Sequence, residues 1–99
     1  MTEVVPAAAA GPGEPTVTVR YWAGARAAAG RAEDVVPAGP LDGVLAAALA
    51  LHPDNSRLAR VVSACSVLVG EVPVGTAEHA GVEVPAGAVV ELLPPFAGG

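Results

Sequence analysis

Apolar residues at alternating positions divide most of the chain into short predicted strands. Val17, Val19 and Tyr21 alternate with Thr18, Arg20 and Trp22, the period-two pattern of a strand with one buried face. Four further short runs are expected to be strands, and the last of them alternates in the same way. Together the predicted strands cover Val17–Trp22, Ala32–Val36, Cys65–Val69, Val72–Val74 and Val89–Leu93.

One segment has helical spacing instead. Its apolar residues fall at i, i+3, i+4, i+7 and i+8, which places them on one stripe of a helix. These residues are Leu41, Val44, Leu45, Ala48 and Leu49. Pro40 suits the first helical position, and Pro53 ends the helix after His52.

The connections between these elements are short. Gly24–Gly30 has room for one helical turn between its bounding glycines. A second short helix is expected over Arg57–Val62, with Asp54 and Ser56 as candidate caps. Gly70-Glu71 reads as a turn, and Thr76–Gly81 as a loop.

This order of elements predicts an α+β domain in which a mixed sheet of four to five strands carries one main helix packed across it. A hairpin, a helix across it and then more strands is the ubiquitin-like β-grasp arrangement. Residues 1–15, rich in Pro and Gly, predict a flexible N-terminal tail. The domain then covers residues 16–95, and residues 96–99 form a flexible C-terminal tail.

Composition narrows the function. The 99 residues carry a net charge of −5, with five arginines and no lysine, which argues against nucleic acid as a partner. The same charge suits a basic groove on a protein partner or simply favours solubility. A secretory signal is not evident, and no apolar run approaches the length of a membrane span. We therefore expect a cytoplasmic protein with no membrane partner.

Few side chains suggest catalysis or metal binding. Cys65, the lone cysteine, adjoins an apolar run. We expect it to be a buried core thiol rather than the group that carries the transferred sulfur. His52 and His79 lack nearby ligands at metal-site spacing, so no metal is expected. We expect Arg20, Arg26 and Arg31 to be solvated surface charges rather than partner contacts.

The carboxyl-terminal segment offers a different kind of chemistry. Pro94-Pro95 favours extended geometry that directs the following residues away from the domain. Gly98 and Gly99 lack Cβ atoms, so their backbone can pass through a narrow channel. A carboxylate delivered in this way can be adenylated and then converted to a thiocarboxylate. Phe96 is either a plug for the core or an aromatic anchor for a partner, and we favour the anchor.

Three segments resemble the MoaD/ThiS family of sulfur carriers, especially the small subunit of molybdopterin synthase. They are Val17–Gly30, Leu41–Leu51 and Val84–Gly99, which ends in Leu-Pro-Pro-Phe-Ala-Gly-Gly. The resemblance covers residues 17–99.

The resemblance implies that an E1-like (MoeB-like) adenylyltransferase uses ATP to activate Gly99, which becomes a thiocarboxylate. Gly98 would enter the partner active sites with Gly99, and Pro95, Phe96 and Ala97 would contact the partners. The acceptor would be the molybdopterin synthase large subunit, acting on a pterin precursor. The chain would then be a protein co-substrate or small subunit with no bound cofactor, rather than a stand-alone enzyme.

Three alternatives stay open. The chain is a carrier for thiamine, cysteine or another thiolated product, a ubiquitin-like modifier conjugated through Gly99, or a β-grasp binding module whose Gly-Gly end is incidental. The modifier could not build lysine-linked chains on itself, because the sequence contains no lysine.

Overall fold

The computed structural model describes residues 14–95, which contain seven short strands and three helices. The strands are β1 (Thr16–Tyr21), β2 (Glu33–Pro37), β3 (Gly39–Pro40), β4 (Ser66–Val69), β5 (Val72–Pro73), β6 (Glu83–Val84) and β7 (Val89–Leu93). The helices are α1 (Ala23–Ala29), α2 (Leu41–Ala50) and α3 (Ser56–Ala64). A 3-10 turn, His79–Gly81, lies inside the segment that was predicted to be a loop.

Five strands form a mixed sheet in the order β2-β1-β7-β4-β5. β1 and β7 run parallel and pair Thr18 with Val89 through Tyr21 with Leu92, whereas the other strand pairs are antiparallel. β2, which ends at Pro37, lies at one edge, where a residue without an amide hydrogen disturbs no ladder. β3 and β6 form a separate two-stranded ladder.

The core lies between one face of the sheet and the helices. Strand alternation points Val19 of β1 and Leu92 of β7 inward, and both are fully buried. The stripe of α2 packs on them through Leu41, Val44 and Ala48. A sheet whose apolar face is covered by helices, with its first and last strands parallel at the centre, confirms the predicted β-grasp fold.

The start of α2 differs from the prediction. Pro40 is the N-cap, with an extended backbone (φ −61°, ψ 146°), and the helix begins at Leu41. Pro40 still pairs with Glu83 in the β3–β6 ladder, which keeps its ψ extended. The placement of Pro40 at the first helical position was therefore wrong by one residue.

The connection after β1 is more helical than predicted. Seven residues, Ala23–Ala29, form α1 where one turn was expected. Alanine has the highest intrinsic helix propensity, and five of these seven residues are alanine. Gly30 ends the helix in the left-handed region (φ +79°), and its N–H donates to the Arg26 carbonyl at 2.9 Å.

The cap of α3 was assigned to the wrong residues. Asn55 is the N-cap, and its side-chain oxygen accepts from the Leu58 N–H at 2.9 Å. Its amide nitrogen also donates to the Ala28 carbonyl, which joins α3 to α1. Asp54 has a left-handed backbone (φ +64°) one residue too early, and Ser56 is already helical.

A buried polar cluster fixes the end of α2 against the sheet. The Asp34 carboxylate on β2 accepts from the Tyr21 hydroxyl at 2.8 Å and pairs with the Arg31 Nε at 2.7 Å. The His52 Nε2 lies 2.7 Å from the same carboxylate, and the side chains of His52 and Asp34 are each 7% exposed. Burial, with the hydrogen bond to Asp34 second, raises the pKa of the Tyr21 hydroxyl far above its ordinary value. The cluster joins three separate elements through one carboxylate.

Candidate functional site

The last strand delivers the carboxyl-terminal segment from a fixed point. β7 is paired on both sides, with β1 and with β4, so its end cannot fray toward an open edge. The Trp22 N–H also donates to the Leu92 carbonyl at 3.1 Å. Pro94 and Pro95 follow directly, and neither has an amide hydrogen to extend the ladder. The chain therefore leaves the sheet at Pro94.

Of the predicted site residues, only Pro95 lies within the described part of the chain, and it is exposed. Phe96, Ala97, Gly98 and Gly99 lie outside the described residues, as does the predicted N-terminal tail up to residue 13. Four residues after Pro95 can extend the backbone by about 13–14 Å. The segment 96–99 therefore starts at a described position, Pro95, and its length limits how far Gly99 can lie from the domain.

An apolar groove lies beside this exit point. Its walls come from the start of α1, the end of α3 and the residues after β7, and its volume is about 660 Å³. Trp22, Val61, Ala64 and Pro95 line it, and we call it the exit groove. Trp22 is 44% exposed, which is unusual for the largest apolar side chain.

The outer face of the sheet next to the groove carries a short row of charges. Arg20 lies between two carboxylates, at 3.2 Å from Glu33 and 3.9 Å from Glu91. The Trp22 indole N–H donates to Glu91 at 3.3 Å. With two acids and one base, this face is acidic, in keeping with the net charge of the chain.

The three arginines of the early cluster lie at the surface. Arg26 is exposed, and the side chains of Arg20 and Arg31 are 41% and 49% exposed. Arg20 and Arg31 pair with carboxylates of this chain, which accords with their interpretation as surface charges.

Among residues 14–95, no group of three or more potential metal ligands comes together. No helix in that range is long and apolar enough to cross a membrane.

Cys65 is half-buried and packs against the core, and its thiol donates to the Val61 carbonyl at 3.3 Å. It was expected to be buried, and it is partly so. Burial raises the pKa of this thiol to about 11, so little thiolate is present at neutral pH. Because the thiolate is the nucleophile, the environment of Cys65 does not favour sulfur chemistry.

We expect native Cys65 to react with iodoacetamide about 100-fold more slowly at neutral pH than in the urea-unfolded chain, because burial raises the pKa of the thiol from its ordinary value to about 11. Intact mass measured against time gives both rates. Equal rates in the two states would show that the fold does not suppress this thiol.

Sequence reasoning missed the exit groove and the buried polar cluster. Trp22 was placed on the polar face of β1, and Val61 and Ala64 lay in or beside a short helix with no recognised apolar face. An exposed tryptophan one residue beyond a strand was the available signal for the groove. For the cluster the signal was weaker, since Asp34 and His52 are separated by 18 residues.

No family model matches the chain, and no curated protein matches it in sequence. Solved structures do match. The small archaeal modifier protein 1 from Methanosarcina acetivorans is 20% identical, with a TM-score of 0.68 over 89% of this chain and 100% of that one. The protein of the same name from Haloferax volcanii is 22% identical, with a TM-score of 0.69 over 85% and 99%.

A third match is to a chain in the complex of subunits 1 and 2 of the molybdopterin-converting factor from Helicobacter pylori. It is 19% identical, with a TM-score of 0.59 over 85% of this chain and 99% of that one. The resemblance seen in the sequence is thereby confirmed at the level of fold. The chain has the ubiquitin-like β-grasp fold, which it shares with the small archaeal modifier proteins and with a chain of the molybdopterin-converting factor complex.

Proposed function

We propose that this protein is a sulfur carrier whose working group is the carboxylate of Gly99. The observation that carries the proposal is a Gly-Gly end that leaves the central strand of a β-grasp domain through two prolines. Such an end combines a rigid base with an unhindered tip. It is suited to delivery of one carboxylate into the active site of another protein.

The chemistry proceeds in two steps on a partner. A Gly99 carboxylate oxygen attacks the α-phosphorus of ATP in an E1-like adenylyltransferase, and pyrophosphate leaves. A hydrosulfide ion then attacks the acyl carbon and AMP leaves, and loss of the sulfur-bound proton gives the thiocarboxylate. This chain supplies no catalytic side chain to either step; it positions the acyl carbon, and Gly98 and Gly99 keep the backbone narrow. Consumption of ATP suits a cytoplasmic protein.

The acceptor that we favour is a molybdopterin synthase large subunit. Support comes from the Helicobacter pylori match, which was solved as a complex of two molybdopterin-converting factor subunits. Pro95, Phe96 and Ala97 would contact the partner as Gly99 enters its active site. The acidic outer face around Glu33 and Glu91 would suit a basic rim on the partner, since complementary charge accelerates encounter.

A second candidate function is protein modification. Two of the matched structures carry the name small archaeal modifier protein, and modification would use the same activated Gly99. The amine of a target lysine, rather than a sulfur nucleophile, would then attack the acyl-adenylate or a thioester derived from it. The two functions share the activation step and differ in the nucleophile that attacks the activated carboxyl group.

Intact mass spectrometry of the protein purified from its native host under sulfur-replete growth tests the proposal. We expect a chain that ends at Gly99 and a second species in which one oxygen has been replaced by sulfur. Fragment ions should place the sulfur on the terminal residue. A Gly43→Ala variant serves as a control for glycine substitution far from the carboxyl terminus. A Cβ at this helical position meets nothing within 4 Å, so the variant should be loaded as the unaltered chain is.

The other outcomes identify the alternatives. Adducts that join Gly99 to lysines of other proteins would establish the modifier. A chain that ends at Gly99 with neither sulfur nor adducts would leave a β-grasp binding module and overturn the proposal.

A further inference from the structure

The exit groove is built for an apolar side chain. Its lining is almost entirely apolar, its volume is about 660 Å³, and Trp22 presents an exposed indole to it. Val61 is only partly buried by the core, and Ala64 is exposed at the end of α3. An aromatic ring placed here would remove these surfaces from water, which is favourable in proportion to the area covered.

The first residue after the groove wall is aromatic. Pro95 lines the groove, and the next residue along the chain is Phe96, the single phenylalanine of the sequence. We propose that, in the free protein, the Phe96 side chain binds in the exit groove of its own domain. The Phe96 backbone is bonded directly to Pro95, so only one peptide bond separates the ring-bearing residue from the groove lining.

Attachment also favours this occupant over a separate molecule. A tethered group binds at a high effective concentration and does not lose the translational freedom that a partner must lose. Pro94 and Pro95 have fixed φ angles, so few backbone conformations are lost when the following residue becomes ordered. Burial of one ring lowers the free energy of the docked state, and the ordering of one residue raises it. Docking is therefore weak and readily reversed.

The inference concerns the free chain and does not rest on the proposed function. It does add a step if that function is correct. Phe96 would leave the groove when a partner takes up the tail, and the exposed groove would then be available to the partner as well.

Nuclear magnetic resonance of the full chain gives a direct test, because the only phenylalanine ring and the only indole are each assigned without ambiguity. We expect nuclear Overhauser contacts from the Phe96 ring to the Val61 methyl groups, the Ala64 methyl group and the Trp22 indole. Ring protons at random-coil shifts without these contacts would overturn the proposal. Contacts that grow with protein concentration would also overturn it, since the ring would then bind the groove of a second copy.

A pair of variants on one helix makes the test specific. Ala64→Gln places a longer side chain in the groove, whereas Ala59→Gln makes the same change at an exposed position of α3 outside the groove. We expect the Phe96 contacts to disappear in Ala64→Gln and to persist in Ala59→Gln. Loss in both variants or in neither would contradict docking in the exit groove.

Discussion

One leucine appended after Gly99 is expected to abolish sulfur loading. The added side chain stands where the adenylate must form, and it moves the reacting carboxylate one residue beyond its position in the partner active site. We expect the loading rate to fall about 100-fold or more, since misplacement of a reacting group by a single residue exceeds the tolerance of such sites. The thiocarboxylated fraction, measured by intact mass after fixed growth, reports the change.

A leucine inserted directly after Met1 is the control for this variant. It changes the mass and hydrophobicity of the chain equally but leaves Gly99 terminal, so loading should match that of the unaltered protein. The unfolding midpoint of both variants should also be unchanged. If the C-terminally extended chain is loaded at a normal rate and is not trimmed back to Gly99, the sulfur-carrier proposal is wrong.

Asp34→Ala is expected to cause the largest loss of stability among single polar substitutions in the described domain. It leaves the buried Tyr21 hydroxyl without its acceptor, and it removes the carboxylate that both Arg31 and His52 contact. A buried donor left without its acceptor costs about 1–3 kcal/mol, a large share of the total stability of a small domain. Urea unfolding followed by circular dichroism gives the change directly.

Glu33→Ala is the matched control, on the same strand and one residue away. Glu33 also pairs with an arginine, but its side chain is 47% exposed, and exposed pairs contribute about 0–1 kcal/mol. Asp34→Asn should fall between the two, because it keeps an acceptor for Tyr21 while removing the charge. Equal losses for Asp34→Ala and Glu33→Ala would mean that the cluster contributes no more than a surface ion pair.

The strands and α2 were predictable because each depends on a local pattern. Alternation in Thr16–Tyr21 and Val89–Leu93 marks strands whose inner residues are buried, and the stripe of Leu41–Ala50 marks a helix on a sheet. Helix α1 was underestimated because the glycines at both ends suggested a loop, although the alanines between them favour a helix. Local propensity was the stronger signal there.

The exit groove and the buried cluster were not predictable in this way. The groove exists because the start of α1, the end of α3 and Pro94-Pro95 meet in space, and no short segment contains all three. The cluster likewise depends on Asp34 and His52 meeting across the domain. The candidate site itself was found in the sequence because it is continuous, a run of six residues after the last strand.

The parallel pairing of β1 with β7 has a consequence for synthesis. β1 is synthesised long before β7. The parallel ladder between them, from Thr18 to Tyr21 of β1, can form only after residues 89–92 have been translated. A nascent chain that stops early lacks the middle strand of the sheet and remains a target for proteolysis. We therefore expect a chain that stops before residue 92 to be degraded faster than one in which the β1–β7 ladder is complete.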